Sequence, residues 1–233
     1  MSSLSDTALE LQQLLGTRSP AIAISFRDEA PAGVARRTGP GPASCSYWRE
    51  AAEGNVFYTE ARDHEGCPVG AHTHGVQLSA DKARELQGMV ETMVGLGYLR
   101  MAEVPQIPHR TSPLKVAVYA PLAKAPVEPD LVLVRGTARQ LMLVAEAAQL
   151  SGIAGSAPMM GRPTCAALPL AESTGKTAAS FGCIGNRVYT GLPDDEAYVT
   201  VPGAQLQTLV AQLRTVVRAN DELEKFHRAR ARA

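Results

Sequence analysis

The chain has 233 residues, of which 45% are hydrophobic and 20% charged, a composition typical of one large domain or two fused half-domains. Lys plus Arg and Asp plus Glu each number 23, and this zero formal net charge argues against a general nucleic-acid or anionic-membrane binder. No run is apolar for the roughly 18 residues that a membrane helix needs, and the N-terminus lacks the layout of a secretory signal. We therefore expect a cytoplasmic protein with no nucleic-acid and no membrane partner.

Hydrophobic periodicity predicts an α+β fold along the whole chain. Helices are predicted over residues 4–15, 45–52, 81–96, 138–150, 165–171 and 202–217. Strands are predicted over residues 21–26, 56–59, 114–120, 131–134, 177–181 and 197–201. Gly- and Pro-rich stretches between them predict loops at 28–42, 62–75, 100–113 and 151–163.

All four cysteines lie in two similar segments, Cys45 to Cys67 and Cys165 to Cys183. Each segment opens with a Ser/Thr-Cys step and closes with Gly-Cys followed by another glycine eight residues on. The first cysteines of the two segments are 120 positions apart, and the apolar positions of helices 81–96 and 202–217 align at the same offset, as with Leu86 and Leu206. This pattern indicates an internal repeat.

The repeat predicts two pseudo-repeated α/β halves, residues 1–113 and 114–233, that form one compact unit. Each half is expected to pair a short mixed sheet with one long amphipathic helix, 81–96 or 202–217. The functional site is then expected where the halves meet, with both cysteine pairs facing it.

Four thiols in a chain expected in a reducing compartment point to metal ligation or redox chemistry. Thiolates select zinc, copper(I) and iron–sulfur clusters, but no pair has the two-to-four-residue spacing of zinc sites. We therefore predict that Cys45, Cys67, Cys165 and Cys183 hold a [4Fe–4S] cluster. The alternatives are zinc, no cofactor with the cysteines packed in the core, or redox disulfides Cys45–Cys67 and Cys165–Cys183. Cys45 and Cys165 lie near predicted helix N-termini, where the helix dipole is expected to lower a thiol pKa.

Histidines flank the second cysteine of the first segment. If His72 and His74 lie on an extended stretch they point the same way, and they are candidates for acid–base catalysis or for a Cys/His metal site with Cys67. A Cys–His nucleophile pair of Cys67 with His64 or His74 is a further alternative. The competing hypothesis is that these are polar loop residues, and His109 and His227 are interpreted as incidental.

Arg187 follows the fourth cysteine in Gly-Cys-Ile-Gly-Asn-Arg and is a candidate to bind a substrate carboxylate or to offset cluster charge. An ion pair with one of the acids at 194–196 explains it equally well. Trp48, Phe181 and Met160 are candidates for an apolar wall, and Met159 with Met160 for a lid, although core packing accounts for such residues as well.

Several motifs in combination resemble the DUF169 family over roughly residues 11–217. They are the PAIAISF strand, the Cys45 helix, Cys67-Pro-Val-Gly-Ala71, Tyr119-Ala-Pro-Leu122, Pro129-Asp-Leu-Val-Leu133, Cys165-Ala-Ala167 and Ser180-Phe-Gly-Cys-Ile-Gly-Asn-Arg187 through Glu196. The resemblance implies a single fold with cysteine-rich sites and assigns no activity. The chain departs from the family pattern in CPVGAHTHG, where His72 and His74 replace a small apolar run.

No dinucleotide fingerprint, Walker loop, nucleophile elbow or HExxH motif is present in the sequence. A cluster with four cysteine ligands is expected to transfer electrons or sense oxidants, whereas one with three leaves an open iron for Lewis-acid chemistry. The expected function is therefore redox or Lewis-acid chemistry on a small molecule, as an iron–sulfur-dependent lyase or oxidoreductase, or electron transfer to a partner. The alternative is a non-catalytic metal-binding or redox-sensing protein, and homodimerisation is the default expectation.

Overall fold

The computed structural model describes residues 3–155 and 163–231. The α-helices are α1 Leu4–Leu15, α2 Ser46–Ala52, α3 Pro68–Thr73, α4 Ala80–Gly95, α5 Ala138–Leu150, α6 Ala167–Thr174, α7 Ile184–Thr190 and α8 Leu206–Arg230. The strands are β1 Ile22–Arg27, β2 Phe57–Glu60, β3 Val116–Pro121, β4 Leu131–Thr137, β5 Ala178–Ser180 and β6 Glu196–Pro202. Short 3-10 turns lie at Ala61–His64, Met101–Gln106, Leu122–Lys124, Thr164–Ala166 and Gly203–Gln205.

The six strands form one sheet in the order β2-β3-β1-β4-β6-β5, and each neighbouring pair is antiparallel. At its centre β1 pairs with β4, with Ile22 opposite Leu133. The α+β class is confirmed, but the prediction of two short mixed sheets is wrong. The reason is that β1 pairs on its second edge with β4, so that strands from both parts of the chain share one ladder of hydrogen bonds.

Helices cover both faces of the sheet because side chains along a strand alternate between its faces. Val132 and Val134 of β4 lie in a core with α1, α5 and α8, which we call the long-helix face. Leu131 and Leu133 lie in a second core with α2 and α6, which we call the cysteine face.

The two long amphipathic helices differ in their packing. Helix α8 buries Leu206, Leu209, Val210, Leu213 and Val216, as predicted. Helix α4 buries none of its residues against the parts of the chain that the structure describes. The prediction that each half packs a long helix on its sheet is therefore wrong for α4, which precedes β3 whereas α8 follows β6.

Most predicted elements lie within a few residues of the observed ones, with two notable differences. The predicted loop 62–75 contains α3, which Pro68 can begin because the first helical position needs no N–H donor. Helix α7 was not predicted, because its Gly-Asn-Arg sequence lacks an apolar stripe. The Met159–Met160 segment lies outside the described residues. None of the described helices combines the length and apolarity needed to cross a membrane.

Candidate site of four thiols

Each cysteine precedes or begins a short helix on the cysteine face. Cys45 immediately precedes α2, and Cys67 and Cys183 are the N-cap residues of α3 and α7. Cys165 lies in the 3-10 turn that leads into α6. The four thiols therefore come from four separate elements, at the end of each that carries exposed backbone N–H groups.

The Gly-Cys steps have a steric cause. A Cβ on Gly66 would lie 2.2 Å from the carbonyl oxygen of Gly41, closer than atoms can approach. Gly182 has φ of +86°, and its Cβ would lie 2.7 Å from the side chain of Leu192. A larger residue before Cys67 would therefore displace backbone, and one before Cys183 would strain its own backbone and push against the Leu192 side chain.

The Ser/Thr-Cys steps link the first cysteine of each segment to the second. The Ser44 hydroxyl lies 3.0 Å from Nδ1 of His64, in the turn that leads to Cys67. The backbone N–H of Cys183 donates to Oγ1 of Thr164, beside Cys165. Both hydroxyls are buried, so in each segment a buried hydrogen bond joins the loop of the first cysteine to the loop of the second.

Neighbouring thiols influence the protonation of Cys45, Cys67 and Cys165. Negative charge on Cys183 or Cys67 raises the pKa of Cys45, and charge on Cys45, Cys67 or Cys183 raises that of Cys165. Cys45 and Cys165 are each 8% exposed, whereas Cys67 and Cys183 are half-buried. All four cysteines are free in this structure.

Burial controls the protonation of these thiols. Desolvation raises the pKa of Cys45 to about 12, and the side chain of Asn186 opposes part of this rise. Desolvation likewise raises the pKa of Cys165, opposed by Thr73, and the pKa of Cys67, opposed by the backbone amides of Gly70 and Val69. The expectation that helix dipoles would lower the pKa of Cys45 and Cys165 is wrong, because loss of hydration outweighs the dipole.

The described part of the chain contains no group of three or more His, Cys, Asp or Glu side chains placed to hold a single metal ion. The thiols are thus neighbours without forming a compact tetrahedral set. The influence of neighbouring thiols on Cys45, Cys67 and Cys165, and the placement of all four cysteines on one face, make them a candidate thiol-lined site.

His72 and His74 do not point the same way, because they lie on and just after a helix rather than on an extended segment. His74 is 1% exposed, its Nδ1 donates to the carbonyl of Gly70 at 2.8 Å, and its buried Nε2 has no hydrogen-bond partner among the described residues. Burial lowers the pKa of His74 to about 4. His74 packs beside His64, with ring centroids 5.3 Å apart, whereas His72 is half-buried and packs against His109.

His64 occupies a fully enclosed position. Its ring contacts Ser44 through Nδ1 and the Thr59 hydroxyl through Nε2, at 3.0 Å and 2.8 Å. Burial lowers its pKa well below the ordinary value. Both ring nitrogens are therefore engaged with hydroxyl groups, which leaves no lone pair directed at Cys67.

The guanidinium of Arg187 is hydrogen-bonded to backbone carbonyls. It donates to Phe181 at 2.6 Å and to Pro193 at 3.0 Å, and it lies 3.5 Å from the Asp194 carboxylate. The predicted ion pair with one of the acids at 194–196 is present. Arg187 thus holds the turn that carries Cys183.

The proposed apolar wall is not continuous in the described residues. Trp48 is 1% exposed and packs edge-on against Tyr198, whereas Phe181 is 53% exposed. Met160 lies outside the described residues. Trp48 is therefore a core residue, and Phe181 is a surface residue beside Cys183.

The residues that contact the thiols, Asn186 and Thr73, were not predicted. Both are 1% or less exposed, but neither has a spacing that would indicate such a contact. The one available signal was the position of Asn186 directly after Gly-Cys-Ile-Gly, in a stretch too polar for a core strand.

The fold and the site together define a class: an α+β protein with a thiol-lined site built on one face of an antiparallel sheet. The chain belongs to the DUF169 family, described as uncharacterised ArCR, whose family model matches residues 10–212. Comparison with curated proteins and with solved structures gives no match.

Proposed function

We propose that the chain is an iron–sulfur protein in which Cys45, Cys67, Cys165 and Cys183 hold a [4Fe–4S] cluster for redox or Lewis-acid chemistry on a small molecule. The observation that carries the proposal is that the thiols, which come from four separate elements, lie near enough for neighbouring thiols to raise the pKa of Cys45, Cys67 and Cys165. Thiolates from distant parts of a chain are the usual ligands of such clusters once a fold has brought them together.

The placement of the thiols favours a cluster over a single zinc ion. Tetrahedral zinc with bonds of 2.3 Å needs sulfur atoms about 3.8 Å apart. No three of the described side chains form such a group. A cluster of several iron and sulfide atoms spans wider gaps between its cysteine ligands, so it suits thiols that are neighbours but not in contact.

The burial and protonation of the thiols also suit the binding of a cationic iron–sulfide core. Because burial raises the pKa of Cys45 to about 12, this thiol is protonated in the metal-free chain at neutral pH. Binding of iron replaces those protons and supplies the positive charge that the buried site lacks. The amide of Asn186 is then available to donate to the ligating sulfur of Cys45, and Thr73, whose hydroxyl donates to the carbonyl of Gly70 at 2.9 Å, lies beside the sulfur of Cys165.

The order of elements supports a pseudo-symmetric origin for the site. Read outward from the central β1–β4 pair, the strands run β1-β3-β2 on one side and β4-β6-β5 on the other. In both directions the two cysteines flank the outermost strand, β2 or β5. In this scheme β3 belongs to the first half, so the boundary lies between β3 and β4 rather than at residue 113.

Anaerobic reconstitution with ferrous iron and sulfide tests the proposal. The expected product is a brown protein with about four iron and four sulfide per chain. A colourless protein that instead binds stoichiometric zinc through its cysteines, so that the Cys→Ala variants lose the zinc, would overturn it. Single Cys→Ala variants then separate four ligands from three. A variant that keeps its cluster, whether or not it loses activity, shows that the replaced cysteine is not a ligand and that one iron is open to substrate.

A homodimer is the proposed assembly, and α4 supports it. Leu96 at the end of α4 is 74% exposed and Met101 in the following turn is 59% exposed. Leu96→Glu is expected to shift the sedimentation of a dimer toward the monomer. Leu150→Glu, at a 58% exposed position on α5, is the matched control and should leave sedimentation unchanged. Equal sedimentation of both variants and the parent chain would exclude this surface.

A further inference from the structure

Two histidines outside the thiol-lined site lie face to face. His72 on α3 and His109 before β3 have ring centroids 5.0 Å apart, with an angle of 31° between the ring planes. His72 is half-buried and His109 is exposed. The two imidazoles therefore meet at the surface, where a solvated ion can reach both.

Backbone hydrogen bonds fix this arrangement. The N–H of Arg110 donates to the carbonyl of Thr73 at 3.0 Å, and the N–H of Leu114 donates to that of Gly75 at 3.2 Å. The segment that carries His109 is thus joined to the end of α3, directly after His72. The backbone therefore sets the relative position of His72 and His109.

Each of the two rings keeps a nitrogen lone pair that can bind a metal ion. Nδ1 of His109 lies 3.1 Å from the carbonyl oxygen of Ile107 and donates to it, so Nε2 keeps its lone pair. A histidine that binds a metal through one ring nitrogen usually donates the N–H of its other nitrogen to a group such as a backbone carbonyl. The ring of His72 makes no hydrogen bond to another described residue.

The cation that follows His109 in the sequence, Arg110, is directed elsewhere. The Arg110 guanidinium pairs with Glu172 at 2.8 Å and 3.0 Å and lies over the Phe26 ring at 3.8 Å. Its charge is compensated and directed along the cysteine face. Burial and the neighbouring His109 lower the pKa of His72, so that ring is neutral, as a ligand must be, at pH 7.

We propose that His72 and His109 form a surface site for one borderline divalent transition-metal ion, such as Zn²⁺, Ni²⁺ or Co²⁺, with water in the remaining positions. Imidazole nitrogen suits these ions, and two ligands give a site that exchanges its metal readily. The site uses no cysteine, so its test is independent of the iron–sulfur proposal.

Titration of the full chain with Co²⁺ at pH 7.5, followed by the imidazole NMR signals of its five histidines, tests the site. Substoichiometric Co²⁺ is expected to perturb the signals of His72 and His109 first, without the absorption that cobalt–thiolate bonds produce. Zn²⁺ is expected to bind at about one ion per chain, and His109→Gln should weaken this binding by about tenfold or more.

His109 is exposed, so His109→Gln is expected to fold normally, and His227→Gln at an exposed position on α8 is the matched control. Unchanged Zn²⁺ affinity in His109→Gln would overturn the site. Equal perturbation of all exposed histidines would also overturn it, because it would show only nonspecific binding to single imidazoles. Cobalt–thiolate absorption with silent His72 and His109 signals would assign the metal to the cysteines and reject the histidine pair.

Discussion

The side chain of Asn186, in the first turn of α7, lies against the thiol of Cys45, which precedes α2. Thr73, the last residue of α3, makes the corresponding contact with Cys165. Each buried cysteine is therefore contacted by the short helix that follows the half-buried cysteine of the other segment. Through these reciprocal contacts, the protonation of one segment's thiol depends on the other segment.

Replacement of Asn186 by Leu is expected to have opposite effects on the metal-free and the reconstituted chain. The amide nitrogen and oxygen of Asn186 are buried without hydrogen-bond partners of good geometry among the described residues, so their removal leaves the metal-free fold at least as stable. The same change removes the polar group beside the Cys45 sulfur, so a bound cluster is lost faster to a chelator.

Urea unfolding of the metal-free chain and iron release from the reconstituted chain measure the two effects. Asn220→Leu on the long-helix face is the control, since Asn220 bonds to Glu146 and is remote from the thiols in sequence and layer. A metal-free Asn186→Leu variant that loses more than about 1 kcal/mol of unfolding free energy would contradict the prediction.

The four thiols are expected to react with iodoacetamide in two classes. Cys67 and Cys183 are half-buried and should be modified in the native chain, whereas Cys45 and Cys165 should react only on unfolding. Burial and a pKa of about 12 both protect Cys45, because the thiolate is the reactive form. Peptide mass spectrometry of native and urea-treated chains gives the order, and early modification of Cys45 would contradict the packing described above.

Acid is expected to destabilise the fold through His74. The pKa of this buried imidazole is about 4 in the folded chain and about 6.5 in the unfolded chain, so between these values the unfolded chain binds more protons. The free energy of unfolding therefore falls as pH decreases from 6.5 to 4, by on the order of 3 kcal/mol from His74. His64, whose pKa is lowered in the same direction, adds to the slope.

Urea unfolding at closely spaced pH values measures this slope. His74→Gln should flatten the slope in this range, whereas His227→Gln at an exposed position should preserve it. A parent chain whose stability does not change between pH 6.5 and 4.5 would refute the role of the buried histidines.

Gly182→Ala and Gly191→Ala form a matched pair of substitutions. Both glycines have positive φ, +86° and +63°, but only the Cβ at 182 would meet other atoms, at 2.7 Å from Leu192 and 3.2 Å from Asn186. Gly191→Ala is expected to cost about 1 kcal/mol, from backbone strain alone. Gly182→Ala is expected to cost about 2–3 kcal/mol more and to increase the reactivity of Cys183. Equal costs in thermal or urea unfolding would show that the turn before Cys183 relaxes freely.

The parts of the structure that depend on local sequence could be predicted, and those that depend on distant contacts could not. The Gly-Cys and Ser/Thr-Cys steps marked the cysteine loops because both steps recur in the sequence, although the contacts that explain them, such as Gly66 with Gly41 and Ser44 with His64, join separate segments. The apolar stripe of α4 predicted a helix, but periodicity does not reveal whether a stripe meets its own sheet. The low pKa expected for Cys45 failed because a helix dipole is visible in sequence whereas burial is not. The contacts of His109 with His72 and of Asn186 with Cys45 could not be predicted because the partners lie in distant segments.

The central pairing of β1 with β4 has a kinetic consequence. Strand β1 cannot be enclosed until β3 and β4 have formed, and Cys45 meets Asn186 only after more than half of the chain has been synthesised beyond it. Such long sequence separation between contacts slows folding. Chains truncated during synthesis would therefore leave Cys45 open to oxidants. Any metal that enters after the sheet has closed must pass through the side where Cys67 and Cys183 still meet solvent.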